Sequence, residues 1–122
     1  MARAAMLKRG AADETQLKTD IRNALGGSNQ GWPSEIDTLC CGTLGSVEFF
    51  CEAAEVLDLA DLREDAARRL ATVLQAANSA GDFRWNSGKR QFNLGMFRGL
   101  AGVGYTLLRR IDGSLPNILI WE

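Results

Sequence analysis

The amino-acid sequence predicts an all-α protein built as a curved or closed array of paired helices. Apolar residues recur at helical spacing over most of the chain, and residues 43–57 are apolar nearly all round, as in a helix buried between other elements. The one-sided amphipathic stretch that follows from Asp61 is typical of an outer helix. The pattern Gly-x-x-Gly also occurs twice, and the offset from Gly42 to Gly99 is 57 residues (99 − 42). Inner and outer helices repeated at such a period are typical of α/α arrays.

The first two predicted helices both end in glycine. Residues 2–9 look like the end of a helix that Gly10 terminates, and the lack of a cap before residue 2 predicts that its start is missing. A capping box that begins at Asp13 starts the second helix, which we expect to end at Gly26-Gly27, before a loop over residues 26–38. The apolar residues of this second helix fall on one face: Leu17, Ile21, Ala24 and Leu25.

Two longer helices are predicted in the middle of the chain. The first covers residues 43–57 and is the inner helix of the pair. Asp61 is expected to cap the second, outer helix, whose polar side includes Arg68 and Arg69. The apolar stripe of the outer helix is formed by Leu62, Ala66, Leu70, Val73, Leu74 and Ala77.

The last third of the chain mixes extended and helical signals. Phe83 and Trp85 alternate with polar residues and are followed by turn residues, which is the pattern of a short β-hairpin near residues 83–92. Residues 95–111 return to the pattern of a buried helix, with several glycines at its start. Residues 115–120 are expected to form an extended strap rather than a helix.

Composition and charge exclude several functional classes. With Lys+Arg 14 against Asp+Glu 15, the chain has no basic excess to attract nucleic acid or an anionic membrane. No apolar run approaches the ~20 residues that span a bilayer. The chain has no histidine, so it cannot supply a histidine acid/base or a Cys–His nucleophile by itself. We expect a cytoplasmic protein of one domain, in which the three cysteines stay reduced.

Two adjacent thiols, Cys40 and Cys41, precede the predicted inner helix. Adjacent cysteines do not readily close a relaxed disulfide with each other, because a normal bridge joins well-separated Cα atoms. Both can face one soft cation if the backbone turns between them, and the positive end of a helix dipole favours the thiolate that metals require. Cys40 and Cys41 are therefore predicted to form half of a zinc site, whose other half is not visible in the sequence.

Three segments of the sequence resemble the lanthionine synthetase cyclases. Residues 39–45 are similar to the Cys-His-Gly zinc motif of that family, with Cys41 in the place of the histidine, as in the Cys-Cys-Gly subgroup. Residues 95–109 resemble the closing helix of the class II (bifunctional) lanthipeptide synthetases, and residues 114–119 resemble their C-terminal strap. Because the segments occur in the family's order, the resemblance covers essentially the whole chain.

This resemblance implies an α/α toroid of inner and outer helices around a zinc ion. In the family, zinc holds the cysteine thiolate of a precursor peptide, which adds to dehydroalanine or dehydrobutyrine and closes a thioether ring. The match implies that Cys40 and Cys41 are the second and third protein ligands of Zn²⁺. The first zinc cysteine, the acid/base histidine and aspartate, and the dehydratase half lie upstream in the family. Residues 1–122 thus resemble the C-terminal fragment of a cyclase domain, which we expect to be inactive without the N-terminal part of the synthetase.

Other interpretations of the same residues stay open. The chain is also compatible with a non-catalytic helical module that binds a peptide or a partner protein and leaves Cys40 and Cys41 unused, or with a vicinal-thiol redox sensor. Cys51 lies inside the apolar helix and is expected to be a core residue. Arg98 is expected to face solvent at a helix start rather than to bind a substrate carboxylate. Loop anchoring is expected for two aromatic residues, Trp32 and Trp85.

Overall fold

The computed structural model describes residues 1–10, 13–85 and 93–120, and these ranges contain five α-helices and no β-strand. The predicted all-α fold is therefore confirmed. Of the predicted hairpin, residues 86–92 lie outside the described residues, and 83–85 form no strand. The helices are α1 (Ala2–Lys8), α2 (Glu14–Gln30), α3 (Thr43–Leu57), α4 (Ala60–Ala80) and α5 (Leu100–Ile111).

Helix α2 begins where the sequence predicts but ends later. The side chain of Asp13 accepts a hydrogen bond from the backbone N–H of Gln16 at 3.0 Å, which confirms the predicted cap. The helix then runs through both glycines to Gln30, although each glycine costs about 1 kcal/mol of helix stability relative to alanine. Its last turn is held from outside, because Arg69 of α4 donates a hydrogen bond to the side chain of Asn29. The predicted end at the glycine pair was wrong because this tertiary contact outweighs the local stop signal.

Helix α3 is the inner helix, as predicted. Phe50 and Val47 are both 0 % exposed, and Phe49 meets Phe50 edge-to-face with ring centroids 6.2 Å apart. Helices α1, α2 and α4 pack around α3, which explains why it is apolar nearly all round. The main core cluster consists of Ala4, Ile21, Leu25, Phe49, Phe50, Ala53 and Ala66.

Helix α4 corrects two sequence predictions. Asp61 does not cap the helix but lies within its first turn, where its charge is favourable to the helix dipole. Arg69, predicted on the polar side, is only 6 % exposed. Its guanidinium lies 3.9 Å from the ring centroid of Phe50 and 4.4 Å from that of Trp32, and it donates to Asp65 one turn earlier at 3.0 Å. Stacking and pairing allow an arginine to be buried, and a hydropathy pattern does not detect this.

The Gly-x-x-Gly repeat corresponds to two copies of one loop-and-helix unit. Gly42 and Gly99 are the N-caps of α3 and α5, with nearly the same extended backbone (φ −114°, ψ −167° and φ −140°, ψ −168°). Helix α5 therefore begins after Gly99, later than the predicted residue 95. In both copies the first helical N–H donates to a carbonyl of the preceding loop at 2.8 Å. The pairs are Thr43 with Ile36 and Leu100 with Asn93.

The second glycine of each copy lets the preceding loop lie against the first helical turn. A Cβ atom on Gly45 would collide with the carbonyl oxygen of Leu39, and one on Gly102 would collide with that of Met96. Both obstacles are backbone atoms, so a side-chain rotation cannot relieve the clash. Equivalent contacts in the two copies show that the repeat seen in the sequence is structural.

The close approach at Gly102 predicts a large cost for adding a methyl group. We expect Gly102→Ala to lower the free energy of unfolding by about 1–3 kcal/mol, because the loop must be displaced. Gly104→Ala is the matched control in the same helix, since a Cβ there meets nothing within 4 Å. The control should be neutral or stabilise by up to about 1 kcal/mol. Urea denaturation measures both, and equal midpoints for the two variants would contradict the prediction.

Helix α5 is joined to α3 by a buried ion-pair cluster. Arg109, 9 % exposed, donates to the carboxylates of Glu48 and Glu52, which are 1 % and 2 % exposed. Arg110 also reaches Glu48 at 3.1 Å, and Lys8 of α1 reaches Glu52 at 2.8 Å. Three helices therefore meet at two buried carboxylates.

The segment after α5 folds back over the same cluster. The side chain of Asn117, 1 % exposed, donates to Glu52 at 2.7 Å. The carbonyl of Leu115 accepts a hydrogen bond from Arg109 Nε at 3.1 Å. Residues 112–120 contain turns and no helix. The segment is non-helical, as predicted, but it forms turns rather than an extended strand. The turns bring the Asn117 side chain and the Leu115 carbonyl to the ion-pair cluster.

The two buried glutamates have opposite pKa shifts. Burial raises the pKa of Glu48, and the charges of the two neighbouring arginines offset only part of that effect. Burial acts the same way on Glu52, but hydrogen bonds from Lys8 and Asn117 outweigh it and hold the pKa below its ordinary value of 4.5. Ionised Glu52 therefore stabilises the folded state.

Removing the shared cation should break the cluster. Arg109→Met leaves two buried carboxylates without the cation that they share, so we expect a loss of about 3–5 kcal/mol in the free energy of unfolding. Arg68→Met, on the exposed side of α4, is the control and should change stability by less than about 1 kcal/mol. Chemical denaturation monitored by circular dichroism would show the difference. A loss in the Arg109 variant no larger than in the control would count against a central role for the cluster.

The lowered pKa of Glu52 predicts an acid-sensitive component of stability. Its contribution is present above the ordinary pKa of 4.5 and is lost as the pH falls through the lower folded value. The variant Glu52→Gln should be less stable than the natural chain at neutral pH, but its melting temperature should fall less steeply in acid. Melting temperatures between neutral pH and pH values below 4.5 test this. Parallel curves for the two proteins would refute it.

Candidate functional site

The predicted zinc ligands, Cys40 and Cys41, lie together in the turn that leads into α3. Both side chains are exposed, and their sulfur atoms are 3.1 Å apart. Neither thiol is in a disulfide. The structure thus places the two soft donors side by side at the N-terminal end of the inner helix.

The backbone around the thiols is fixed by both copies of the repeat. The N–H of Gly42 donates to the carbonyl of Thr38 at 3.1 Å and closes the turn. Leu39, 1 % exposed, anchors the turn in the core. The N–H of Cys40 donates to the carbonyl of Phe97 at 2.9 Å, in the matching loop before α5. The thiol pair therefore stands where the two loops meet.

An ion pair that no local sequence pattern predicts holds the loop in front of the thiols. Asp37, 1 % exposed, accepts hydrogen bonds from Nη2 of Arg84 at 2.6 Å and from its backbone N–H at 2.8 Å. The same Nη2 donates to Thr43, the first residue of α3, at 3.1 Å. The hydrogen bonds to Asp37 raise the pKa of Arg84. Because Asp37 and Arg84 are 47 residues apart, no local pattern identifies them as partners.

The surroundings of Cys40 do not by themselves favour its thiolate. The pKa of Cys40 is raised, first by its hydrogen bond with Cys41 and then by burial, while the nearby Arg98 acts in the opposite direction. The contacts around Cys40 therefore do not ionise its thiol. A bound metal would do so, because thiol ligands lose their protons on coordination.

Cys40 and Cys41 are the right type of ligand for a zinc ion, but two ligands are too few for a zinc site. Two cysteine sulfurs are typical soft ligands of Zn²⁺, and at Zn–S distances of about 2.3 Å in a tetrahedral site they lie about 3.8 Å apart. The two sulfurs of Cys40 and Cys41 are 3.1 Å apart, so their side chains would have to move apart to bind the ion. Within residues 1–10, 13–85 and 93–120, no group of three or more His, Cys, Asp or Glu side chains could hold a metal. The pair can thus supply two ligands of a site that needs a third from elsewhere.

The other residues considered from the sequence have separate surroundings. Cys51 is half-buried against the main core cluster and borders a cavity of about 560 Å³ between α3, α4 and the end of α5. Burial raises the pKa of its thiol. Trp32 and Trp85 pack against a second, smaller core cluster. Arg98 is exposed, as expected, but its positive charge also lies close enough to Cys40 to act on the thiol, and no pattern in the sequence predicts this.

The fold and the thiol pair define a helical-repeat protein with a vicinal thiol centre at the start of an inner helix. Among the described helices, none is long and apolar enough to cross a bilayer. The family model of the lanthionine synthetase C-like proteins matches residues 1–120, so the chain belongs to the lanthionine synthetase C-like family. Searches among curated proteins and among solved structures gave no match.

Proposed function

We propose that this chain is the C-terminal part of the cyclase domain of a class II bifunctional lanthipeptide synthetase of the Cys-Cys-Gly subgroup. The observation that carries the proposal is the exposed pair Cys40 and Cys41, with sulfurs 3.1 Å apart at the start of an inner helix. Family membership over residues 1–120 supports this assignment. The substrate is a precursor peptide that contains both cysteine and dehydroalanine or dehydrobutyrine.

In this proposal Cys40 and Cys41 hold Zn²⁺ as thiolates. When bound, zinc supplies the Lewis acidity that lowers the pKa of a coordinated thiol. The reaction is an addition: the substrate cysteine loses its S–H proton, and its sulfur forms a bond to the β-carbon of the dehydro residue. The α-carbon then takes up a proton, and the thioether ring is closed.

We infer that the proton donor and acceptor come from outside this chain, as the resemblance to the cyclases implies. The sequence contains no histidine. The hydroxyl of Tyr105 donates to the carbonyl of Pro116 at 2.8 Å, and the carboxylate of Asp37 is engaged by Arg84. The chain therefore contributes two zinc ligands and one side of the site, and we expect no cyclisation without the N-terminal part of the synthetase. We also propose a cytoplasmic location, because cysteines that serve as metal ligands have to stay reduced.

Zinc binding is expected only when a third ligand is present. We predict that the 122-residue chain binds little zinc, and that a longer chain with an upstream segment bearing one more cysteine binds one equivalent. Two protein thiolates make a poor site, whereas three leave one position for the substrate. Elemental analysis after gel filtration gives the stoichiometry.

Single cysteine variants of the longer chain provide the controls. Cys40→Ser and Cys41→Ser should each lose the zinc, while Cys51→Ser, which alters the half-buried cysteine of α3, should retain it. If neither the short nor the long chain binds zinc, the proposed function is wrong. The chain would then be better described as a helical module that binds a peptide or a partner without using its cysteines.

A further inference from the structure

The two copies of the repeat carry different side chains at equivalent positions, directly before the glycine N-cap of the helix. Phe97 and Arg98 stand before Gly99 as Cys40 and Cys41 stand before Gly42. The two loops are in contact, because the N–H of Cys40 donates to the carbonyl of Phe97 at 2.9 Å. The position that holds a thiol in the first copy thus holds a guanidinium in the second, beside the thiol pair.

The backbone that carries Arg98 is well held. Its carbonyl accepts a hydrogen bond from the Asn93 side-chain amide at 3.2 Å, and the N–H of Gly95 donates to the same side chain at 2.8 Å. Gly99 lies directly against the carbonyl of Asn93. Because Phe97, the preceding residue, accepts the hydrogen bond from the Cys40 N–H, the Arg98 side chain starts beside the thiol of Cys40 and lies close enough for its charge to act on that sulfur.

We propose that Arg98 is the cationic positioning residue of the thiol pair, orienting the Cys40 sulfur and offsetting the negative charge that collects there. The proposal rests on the proposed function, since four thiolates on Zn²⁺ give a net charge of about −2. A guanidinium suits this role because it presents several N–H donors in a fixed plane. The proposed role is to orient and to supply charge, and it involves no proton transfer by Arg98.

A comparison of two alkylating reagents tests the Arg98–Cys40 contact without metal. Initial rates at Cys40 are measured by peptide mass spectrometry in the metal-free 122-residue chain, with anionic iodoacetate and with neutral iodoacetamide. The ratio of the two rates cancels the fraction of thiolate and reports the local charge. We expect Arg98→Ala to lower this ratio by about two- to fivefold, the effect of one exposed charge pair. Arg98→Lys should retain most of it.

Arg22→Ala removes an exposed arginine from α2 and is the matched control. It should leave the ratio unchanged. An unchanged ratio in Arg98→Ala, or an equal fall in the control, would overturn the proposal. A variant that only disturbed the fold would change the rates with both reagents and would not be rescued by lysine.

Metal affinity is the second measurement, made with Cd²⁺ on the longer chain that carries the upstream cysteine. Sulfur-to-cadmium charge-transfer absorbance reports binding, and Arg98→Ala should weaken it by about two- to fivefold. Arg98→Lys should restore most of the affinity. Equal Cd²⁺ affinities for the natural chain and Arg98→Ala would overturn the positioning role. A natural chain that binds no Cd²⁺ would overturn the proposed function instead, and the alkylation ratio would then decide alone whether Arg98 is the partner of Cys40.

Discussion

The pairing of Arg109 with two buried glutamates is the interaction on which the position of α5 depends. Apolar packing holds α5 through Val103, which is 1 % exposed, but Leu108 and Ile111 near the end of the helix are 53 % and 85 % exposed and add little. Charges buried as deeply as Glu48 and Glu52 are tolerated only with partners, so the cluster also dictates what has to surround it. One helix, its neighbour and the following segment are thereby fixed in one arrangement.

The position of α5 in turn determines the surroundings of the thiol pair. The loop before α5 supplies the carbonyl of Phe97 to the Cys40 N–H at 2.9 Å, and it supplies the side chain of Arg98 to the thiol. A shift of α5 would remove both contacts, although the buried ion pairs are formed at other residues. The ion-pair cluster therefore affects the candidate site by fixing the position of α5. It can do so without any direct contact with the sulfurs of Cys40 and Cys41.

The sequence could predict the parts of this fold that depend on local pattern. Helix α3 is apolar because it is surrounded, and Asp13 caps α2 through a bond to a residue three positions away, so periodicity and spacing suffice. The pairing of Asp37 with Arg84 and the stacking of Arg69 on two aromatic rings depend on residues far apart in the chain. For the candidate site, the sequence alone identified the adjacent cysteines. It did not predict that their turn contacts the loop before α5, because that contact joins residues far apart in the chain.

The repeat explains how a cation comes to stand beside two thiols. A glycine N-cap and a second glycine under the loop carbonyl impose the same backbone on both copies, whatever residues stand between. The two copies therefore share one backbone conformation, and the side chains of the two residues before each N-cap can differ. One copy presents Cys40 and Cys41, and the other presents Phe97 and Arg98. The loops before α3 and α5 are joined by the backbone hydrogen bond from Cys40 to Phe97. This contact brings the thiols of one loop and the guanidinium of the other together, so no separate loop is needed to carry the cation.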